Sequence, residues 1–407
     1  MHHTHDFRAV CYPLRVYSGE HALTSLHGEL ARAGAKRALL LCGRSIRERS
    51  DLVEHVMGLA GGRIAAVCAD IGAGAPRHQV EAAAVLADEM QADALIAVGA
   101  GSVTKAARVV AVRLAEDGPL EALATQYDAL GRGRSTRLPN PKLPIFNVLT
   151  AATSSQNRAG ASIRDDANGR QLEFFDPKTR PRAVFWDAKA LSTAPLSLTR
   201  AAAGMEYWWA LMNLAGAGDE NPLVLASRQQ CWAIARAAMP RIDDPADWRV
   251  RVDLCAASLL RTRDEDDGGL PLGVASGSHE MRMHPITRAV YMLAHSLFNT
   301  GTGISQPEAT LALAAPAVRV FGDLCPDVVA DIGRMLEAGD ASATGVARAL
   351  EVEFHRFGYT LNLRAARVPR DRAQAVIEHA LRTFNCNADG WMNDKAKRLH
   401  QMLAEVL

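Results

Sequence analysis

The sequence predicts an α/β half built on a parallel sheet, followed by an all-helical half. Two patterns carry that prediction. Short, continuously apolar runs recur through the first 190 or so residues, separated by helix-patterned stretches. After about residue 191 the short runs stop, and long Ala/Leu/Arg-rich stretches with helical spacing take over. At 407 residues the chain has room for two domains, which the change of texture places at 1–190 and 191–407.

Taken in order, the first strand expected is 38–42 (ALLLC), closed by Gly43. Residues 64–69 (IAAVCA) form the second and 94–98 (ALIAV) the third, which runs into Gly99. Each is too short for a helix and apolar at every position, as a strand covered on both faces must be. Residues 143–149 and 183–186 are further strands, and 81–90 (EAAAVLADEM) is a covering helix. In the second half, helices are expected over 198–214, 223–239, 252–261, 286–298, 311–324, 328–336, 345–357, 370–381 and 394–407. Gly268-Gly269-Leu270-Pro271 and similar clusters punctuate them, and 264–269 and 338–342 read as polar loops. A ligand cleft is expected between the halves, at the carboxyl ends of the strands.

Composition narrows the function. Lys and Arg number 46 against 45 Asp and Glu, a net charge of +1, which argues against a binder of nucleic-acid backbones. No apolar run reaches the roughly 18 residues of a membrane span. The opening Met1-His2-His3-Thr4-His5-Asp6 lacks the apolar core of a signal peptide, so a cytoplasmic protein is expected. His2, His3 and His5 read as a tail rather than a site. The seven cysteines form no CxxC pair and read as reduced, mostly buried thiols.

The sharpest local signal is Val98-Gly99-Ala100-Gly101-Ser102, leading into Val103-Thr104-Lys105. A buried strand enters a small-residue turn and then a helix. Glycines let backbone approach a ligand, unpaired N–H groups at a helix start favour phosphate oxygens, and the Ser102 hydroxyl adds a donor. The pattern is neither GxGxxG nor a Walker A loop. A tight strand–helix turn with no ligand is the alternative.

This segment resembles the GGGSxxDxAK turn of the group III, iron-dependent alcohol dehydrogenases, whose fold is shared with dehydroquinate synthase and maleylacetate reductase. Further segments follow in the family's order: Thr150-Ala151-Ala152-Thr153-Ser154-Ser155-Gln156 is similar to TTAGTGSE, and Gly204-Met205-Glu206 stands at GMD. Leu293-Ala294-His295-Ser296-Leu297 is similar to LAHPLG, and Ala315-Pro316-Ala317-Val318 to LPHVM. The resemblance implies a dehydroquinate synthase-like fold, NAD or NADP as cofactor, a small carbonyl or alcohol substrate and a homodimer. It implies that Gly99, Ala100, Gly101 and Ser102 cradle the cofactor's diphosphate, with Thr150 and Thr153 beside the nicotinamide. Where the family often carries an acidic residue for the adenosine ribose, this chain has Gly43-Arg44, and Arg44 paired with a 2′-phosphate would favour NADP. Lys105 replaces the family's Asp and reverses a charge near the phosphates.

The family's metal is held by one Asp and three His. By resemblance, the Asp position is Glu206, and the His positions are Ala210, Tyr291 and one of Ser305, Gln306 or Pro307. None of the latter is His, so no catalytic metal is expected. A reduced site of Glu206, His295 and Glu308 is the alternative, with His279 and His284 as further donors. Without a metal, the electrophile falls to His295 as imidazolium, to Tyr291 one helical turn before it, or to Arg158. Trp208 and Trp209 are expected to shape the cavity the ion leaves, with Glu206 and Arg158 against the substrate. Arg158, Arg200 and Lys105 would favour an acidic one. The chain thus reads as an NAD(P)-dependent oxidoreductase, the alternatives being a non-redox enzyme like dehydroquinate synthase and a nucleotide-binding homologue without activity.

Overall fold

A computed structural model describes residues 6–127, 133–165, 167, 170–217, 220–263, 283–300, 302–364, 368–382, 387 and 389–407. His2, His3, His5, His279, Cys386 and the expected loop at 264–269 therefore lie outside the described residues.

The first half contains β1 (Arg15–Gly19), α1 (Leu26–Arg32), β2 (Ala38–Cys42), α2 (Arg44–Arg49), α3 (Leu52–Leu59), β3 (Ile64–Cys68), α4 (Arg77–Glu89), β4 (Ala94–Gly99) and α5 (Gly101–Ala115). It continues through α6 (Leu120–Leu123), β5 (Gln126–Tyr127), β6 (Gly133–Arg134), β7 (Ile145–Leu149), β8 (Gly160–Asp165), β9 (Arg170–Phe175), β10 (Ala183–Asp187) and α7 (Ala188–Ser192). Six strands pair in parallel in the order β1-β10-β7-β4-β2-β3. Burial on both faces explains the continuous apolar runs of β2, β4, β7 and β10, whereas β3, apolar too, is an edge strand with no fully buried residue. In β2, Leu39 and Leu41 pack with Val80, Ala83 and Val109 on the α4–α5 side, while Leu40 and Cys42 pack with Leu30, Val53 and Val56 on the α1–α3 side.

The missed strands lack this double burial. Edge strand β1 carries Arg15 and Ser18, with three of its five residues exposed. The antiparallel β8–β9 hairpin alternates instead, burying Ala161 and Ile163 and leaving Ser162 and Arg164 half-exposed.

The second half contains α8 (Leu196–Leu214), α9 (Pro222–Ala238), α10 (Trp248–Arg261), α11 (Pro285–Asn299), α12 (Gln306–Phe321), α13 (Pro326–Met335), α14 (Ala343–Arg356), α15 (Arg370–Leu381) and a last helix, Ala396–Val406. No strand follows β10 among the described residues. Tyr207, Trp208, Phe321 and Phe354 centre this core. Side-chain bonds lock the halves together: the buried Gln156 amide donates to the Cys255 carbonyl at 2.9 Å and accepts from Trp186 Nε1 at 2.9 Å. Arg251 Nη1 donates to the carbonyls of Leu191 and Ala194 at 2.7 and 2.9 Å.

Candidate functional site

The strand order reverses direction at β2, whose neighbours are β3 on one side and β4 on the other. Ligands of open α/β sheets bind outside the carboxyl ends at such a point. In register, Cys42 lies beside Val98 and Gly99 beside Leu149, so Gly43, Gly99 and Thr150 leave three adjacent strand ends together. The Thr150 N–H donates to the Gly99 carbonyl at 3.2 Å. Ala100 caps α5, whose first-turn N–H groups point out with no helical acceptor. A Cβ on Gly99 would lie 2.7 Å from Val103 Cγ2, and one on Gly101 would lie 3.2 Å from Thr153 Oγ1. The turn closes this tightly only because it is built of glycine. Ser102 Oγ also accepts the Gly74 N–H at 3.0 Å, which pins the loop after β3 to the helix start. Gly101→Val is expected to raise the cofactor Kd by about tenfold or more, roughly 1.4 kcal/mol, because its methyls would push Thr153 aside; a fluorescence titration with NADH and NADPH reads it.

A buried arginine that the sequence reading missed holds the opposite wall. Arg108 on α5 donates from Nη1 to the carbonyls of Ser155 and Arg158 at 2.6 and 3.1 Å, and from Nη2 to Ser155 Oγ. Thr104 Oγ1 lies 2.8 Å from the same Ser155 hydroxyl. The threonine–serine turn is thereby fixed to the helix that opens the phosphate site. Asn157 ties it to the helical half, accepting from Thr262 Oγ1 at 2.8 Å.

Between the halves lies a cavity of about 290 Å³, walled by Lys105, Ser154, Arg158, Glu173, Arg180, Trp209, Arg261, Tyr291 and His295 among others. As the helical spacing predicted, Tyr291 and His295 share one face of α11, with their rings stacked at 5.5 Å and 10°. Trp209 meets Tyr291 edge-on at 6.0 Å. The Asn299 amide lies 3.1 Å from His295 Nδ1 and accepts in turn from Gln171 on β9 at 2.9 Å, so the hairpin of the first half orients the imidazole. Tyr127 donates to Glu173 at 2.5 Å, and burial raises the Glu173 carboxyl.

Electrostatics corrects one expected role. Burial, with the charges of Lys105 and His379, pushes His295 down to about 3, so it is neutral at physiological pH and does not serve as an imidazolium electrophile. Burial, with Arg108 and Arg158 beside it, brings Lys105 down to about 8 while Glu173 opposes the shift. The titrating cation of the cavity is therefore the lysine.

Several other expectations change as well. Arg44 is exposed and paired with the exposed Asp70 at 2.5 Å, so a carboxylate stands beside it at this rim. Arg200 binds Asp243 and the Phe357 carbonyl in the helical half and is not in the cavity wall. Trp208 is fully buried in the helical core, and only Trp209 reaches the cavity. Glu206 is 3% exposed and is not in the cavity wall either. Its two oxygens accept from Arg261 Nε and Nη2 at 2.8 and 3.0 Å. No sequence motif marks Arg261, which sits at the end of a regular amphipathic helix and becomes meaningful only through α8 packing on α10.

Among the described residues, the donor set does not fit the family's metal. Both Glu206 oxygens are taken by Arg261, Ala210 offers no donor, and Tyr291 is stacked on His295. Glu308 is spent in a capping box with Ser305 at the start of α12. His284 caps α11 and lies 3.3 Å from the Met212 carbonyl, away from the cavity. Among the described residues, no group of three or more His, Cys, Asp or Glu is placed to hold a metal ion.

Comparisons agree with this geometry at the level of family and fold. Residues 13–188 match the family model described as iron-containing alcohol dehydrogenase. Maleylacetate reductase 2 of Cupriavidus pinatubonensis (strain JMP 134 / LMG 1197) is 27% identical over 401 residues, covering 96% of this chain and 92% of that protein. Among solved structures, a 1,3-propanediol oxidoreductase superposes with a TM-score of 0.80 at 17% identity, over 99% of this chain and all of the other. A sulfoacetaldehyde reductase from Bifidobacterium kashiwanohense, in complex with NAD+, gives 0.76 at 15% identity, over 98% of each chain.

Proposed function

We propose that this chain, similar over residues 13–188 to the iron-containing alcohol dehydrogenase family model, is an NAD(P)-dependent oxidoreductase that reduces a small carbonyl compound bearing an acidic group, without a catalytic metal. One observation carries the substrate class: Lys105, Arg158, Arg180 and Arg261 all line the cavity beside the phosphate turn. Against these cations Glu173 is the one carboxylate among its described lining residues. That the relatives include proteins named for maleylacetate and sulfoacetaldehyde supports an anionic carbonyl substrate.

When bound, the nicotinamide supplies a hydride. The chain does the rest. The α5 N-terminus and the Gly99–Ser102 turn bind the diphosphate, and Thr150 and Thr153 border the nicotinamide. Arg158 and Arg180 hold the substrate's acidic group, which orients its carbonyl toward the Lys105–Tyr291–His295 side. Lys105 holds the proton that the product oxygen requires, and Trp209 with Tyr291 excludes water from that wall. Neutral His295, aimed by Asn299, offers the substrate a hydrogen bond rather than a charge.

A panel of carbonyl compounds followed at the nicotinamide absorbance tests the reading. Short oxo acids and semialdehydes are expected to exceed neutral aldehydes of equal length by at least about tenfold in kcat/KM, roughly 1.4 kcal/mol of differential binding. Equal or greater activity on the neutral compounds would refute the acidic-substrate reading. His295→Ala is expected to lower kcat by about tenfold with cofactor Kd unchanged; an unaltered kcat removes the imidazole from the reaction.

A further inference from the structure

We propose that the guanidinium of Arg261 takes the place of this family's catalytic cation, neutralising Glu206 and polarising the substrate carbonyl. The proposal rests on the carbonyl-reduction reading above. Its basis is a fork-to-fork pair, with Nε to Oε2 at 2.8 Å and Nη2 to Oε1 at 3.0 Å, in which both side chains are about nine-tenths or more buried. By the resemblance of Gly204-Met205-Glu206 to GMD, Glu206 stands at the position of the family's metal-binding Asp. Arg261, unlike Glu206, lines the cavity, so the positive charge faces the substrate and the negative charge backs it. The guanidinium also lies 5.8 Å from the centroid of the Trp209 ring. Stability alone does not account for such a pair, since apolar replacement of a buried ion pair is often neutral or favourable.

The same geometry opposes a metal at Glu206. A divalent ion must approach a carboxylate oxygen to about 2.0–2.2 Å, which would set it within a few ångströms of the guanidinium that already holds both oxygens. In the reaction the dihydronicotinamide C–H bond breaks and its electron pair forms a C–H bond at the carbonyl carbon. The carbonyl π pair moves onto oxygen, and the oxyanion rests against Arg261. It then takes a proton from the Lys105 ammonium, which solvent restores. The substrate is reduced to the alcohol and the cofactor is oxidised.

The first test needs no activity. Protein with His2, His3 and His5 replaced by Ala is incubated with Zn²⁺ or Fe²⁺, desalted and analysed for metal. Far less than one equivalent is expected; an equivalent that disappears in Glu206→Gln overturns the proposal. The second test is kinetic. Arg261→Ala is expected to lower kcat by about 100-fold in the presence of chelator, with NADH and NADPH affinity unchanged and partial rescue by added guanidinium chloride. An unchanged kcat overturns it. Because that variant leaves a buried carboxylate unpaired, Glu206→Gln/Arg261→Met serves as the second variant. Its kcat is expected to stay low, whereas recovery would show that the pair is only structural and overturn the proposal. Wild-type turnover that demands added metal sinks this proposal alone. A wild type that binds no nicotinamide cofactor sinks the oxidoreductase reading and the proposal with it.

Discussion

Lys105→Met is expected to slow carbonyl reduction by about 10²–10⁴-fold, the range for losing a positioned proton donor, and to erase the alkaline limb of the pH profile. Lys105 enters the cavity from the first turns of α5, where the family turn carries a carboxylate. Burial lowers its pKa to about 8, with Arg108 and Arg158 adding to the shift and Glu173 opposing it. The sign follows. Below about 8 the ammonium is present and can protonate the product oxygen; as pH rises through 8 the proton is lost and reduction slows, while oxidation of the alcohol gains its base. Of the other groups on this side, burial holds His295 near 3 and raises the Glu173 carboxyl, so it is the comparison of wild type with Lys105→Met that assigns the alkaline limb. Measuring kcat from neutral to mildly alkaline pH in wild type and variant separates the roles. A variant that keeps the same alkaline limb removes Lys105 as donor. A variant with unchanged kcat and weakened cofactor binding assigns the lysine to the phosphates instead.

What the sequence displayed clearly is what local physics decides. Strands β2, β4 and β7 are buried on both faces, so their apolar runs stand out unaided, and the helices of the second half were found within a few residues. The glycine turn was legible because close backbone approach demands particular residues at consecutive positions. What stayed hidden depends on partners brought from far along the chain. Edge strand β1 and the β8–β9 hairpin do not show the apolar continuity that double burial imposes. The pairing of Arg44 with Asp70, 26 positions away, is announced by no local motif. The protonation state of His295 is set by burial and by Lys105 and His379, from α5 and α15, and no motif encodes that. Arg261 is the extreme case. It lies 55 positions from Glu206 in an unremarkable helix, yet it holds that buried carboxylate. Asking which cation neutralises a buried Glu206 would have exposed the gap, because a carboxylate there requires a partner.

Glu206→Ala is expected to destabilise the fold by about 3–5 kcal/mol, the cost of stranding one member of a buried ion pair. Arg261 cannot discard its proton to escape, since guanidinium stays charged throughout the accessible range. The side chain is 5% exposed, so water cannot readily replace the lost carboxylate. Urea unfolding followed by far-ultraviolet circular dichroism gives the midpoint and slope, and an unchanged slope assigns the shift to stability alone. A ligand that binds only the folded state stabilises it by mass action, so a protein whose Glu206 held a divalent ion would unfold at higher urea when that ion was added. Here the wild-type midpoint is expected not to move with Zn²⁺ or Fe²⁺, because the ion meets a guanidinium in its place. At an effective dielectric constant near 20, a 2+ ion held about 4 Å from a fixed positive charge is opposed by roughly 8 kcal/mol. A Glu206→Ala loss well under 1 kcal/mol would mean the pair is hydrated in solution, and the electrostatic account of this cavity would have to be rebuilt around Lys105.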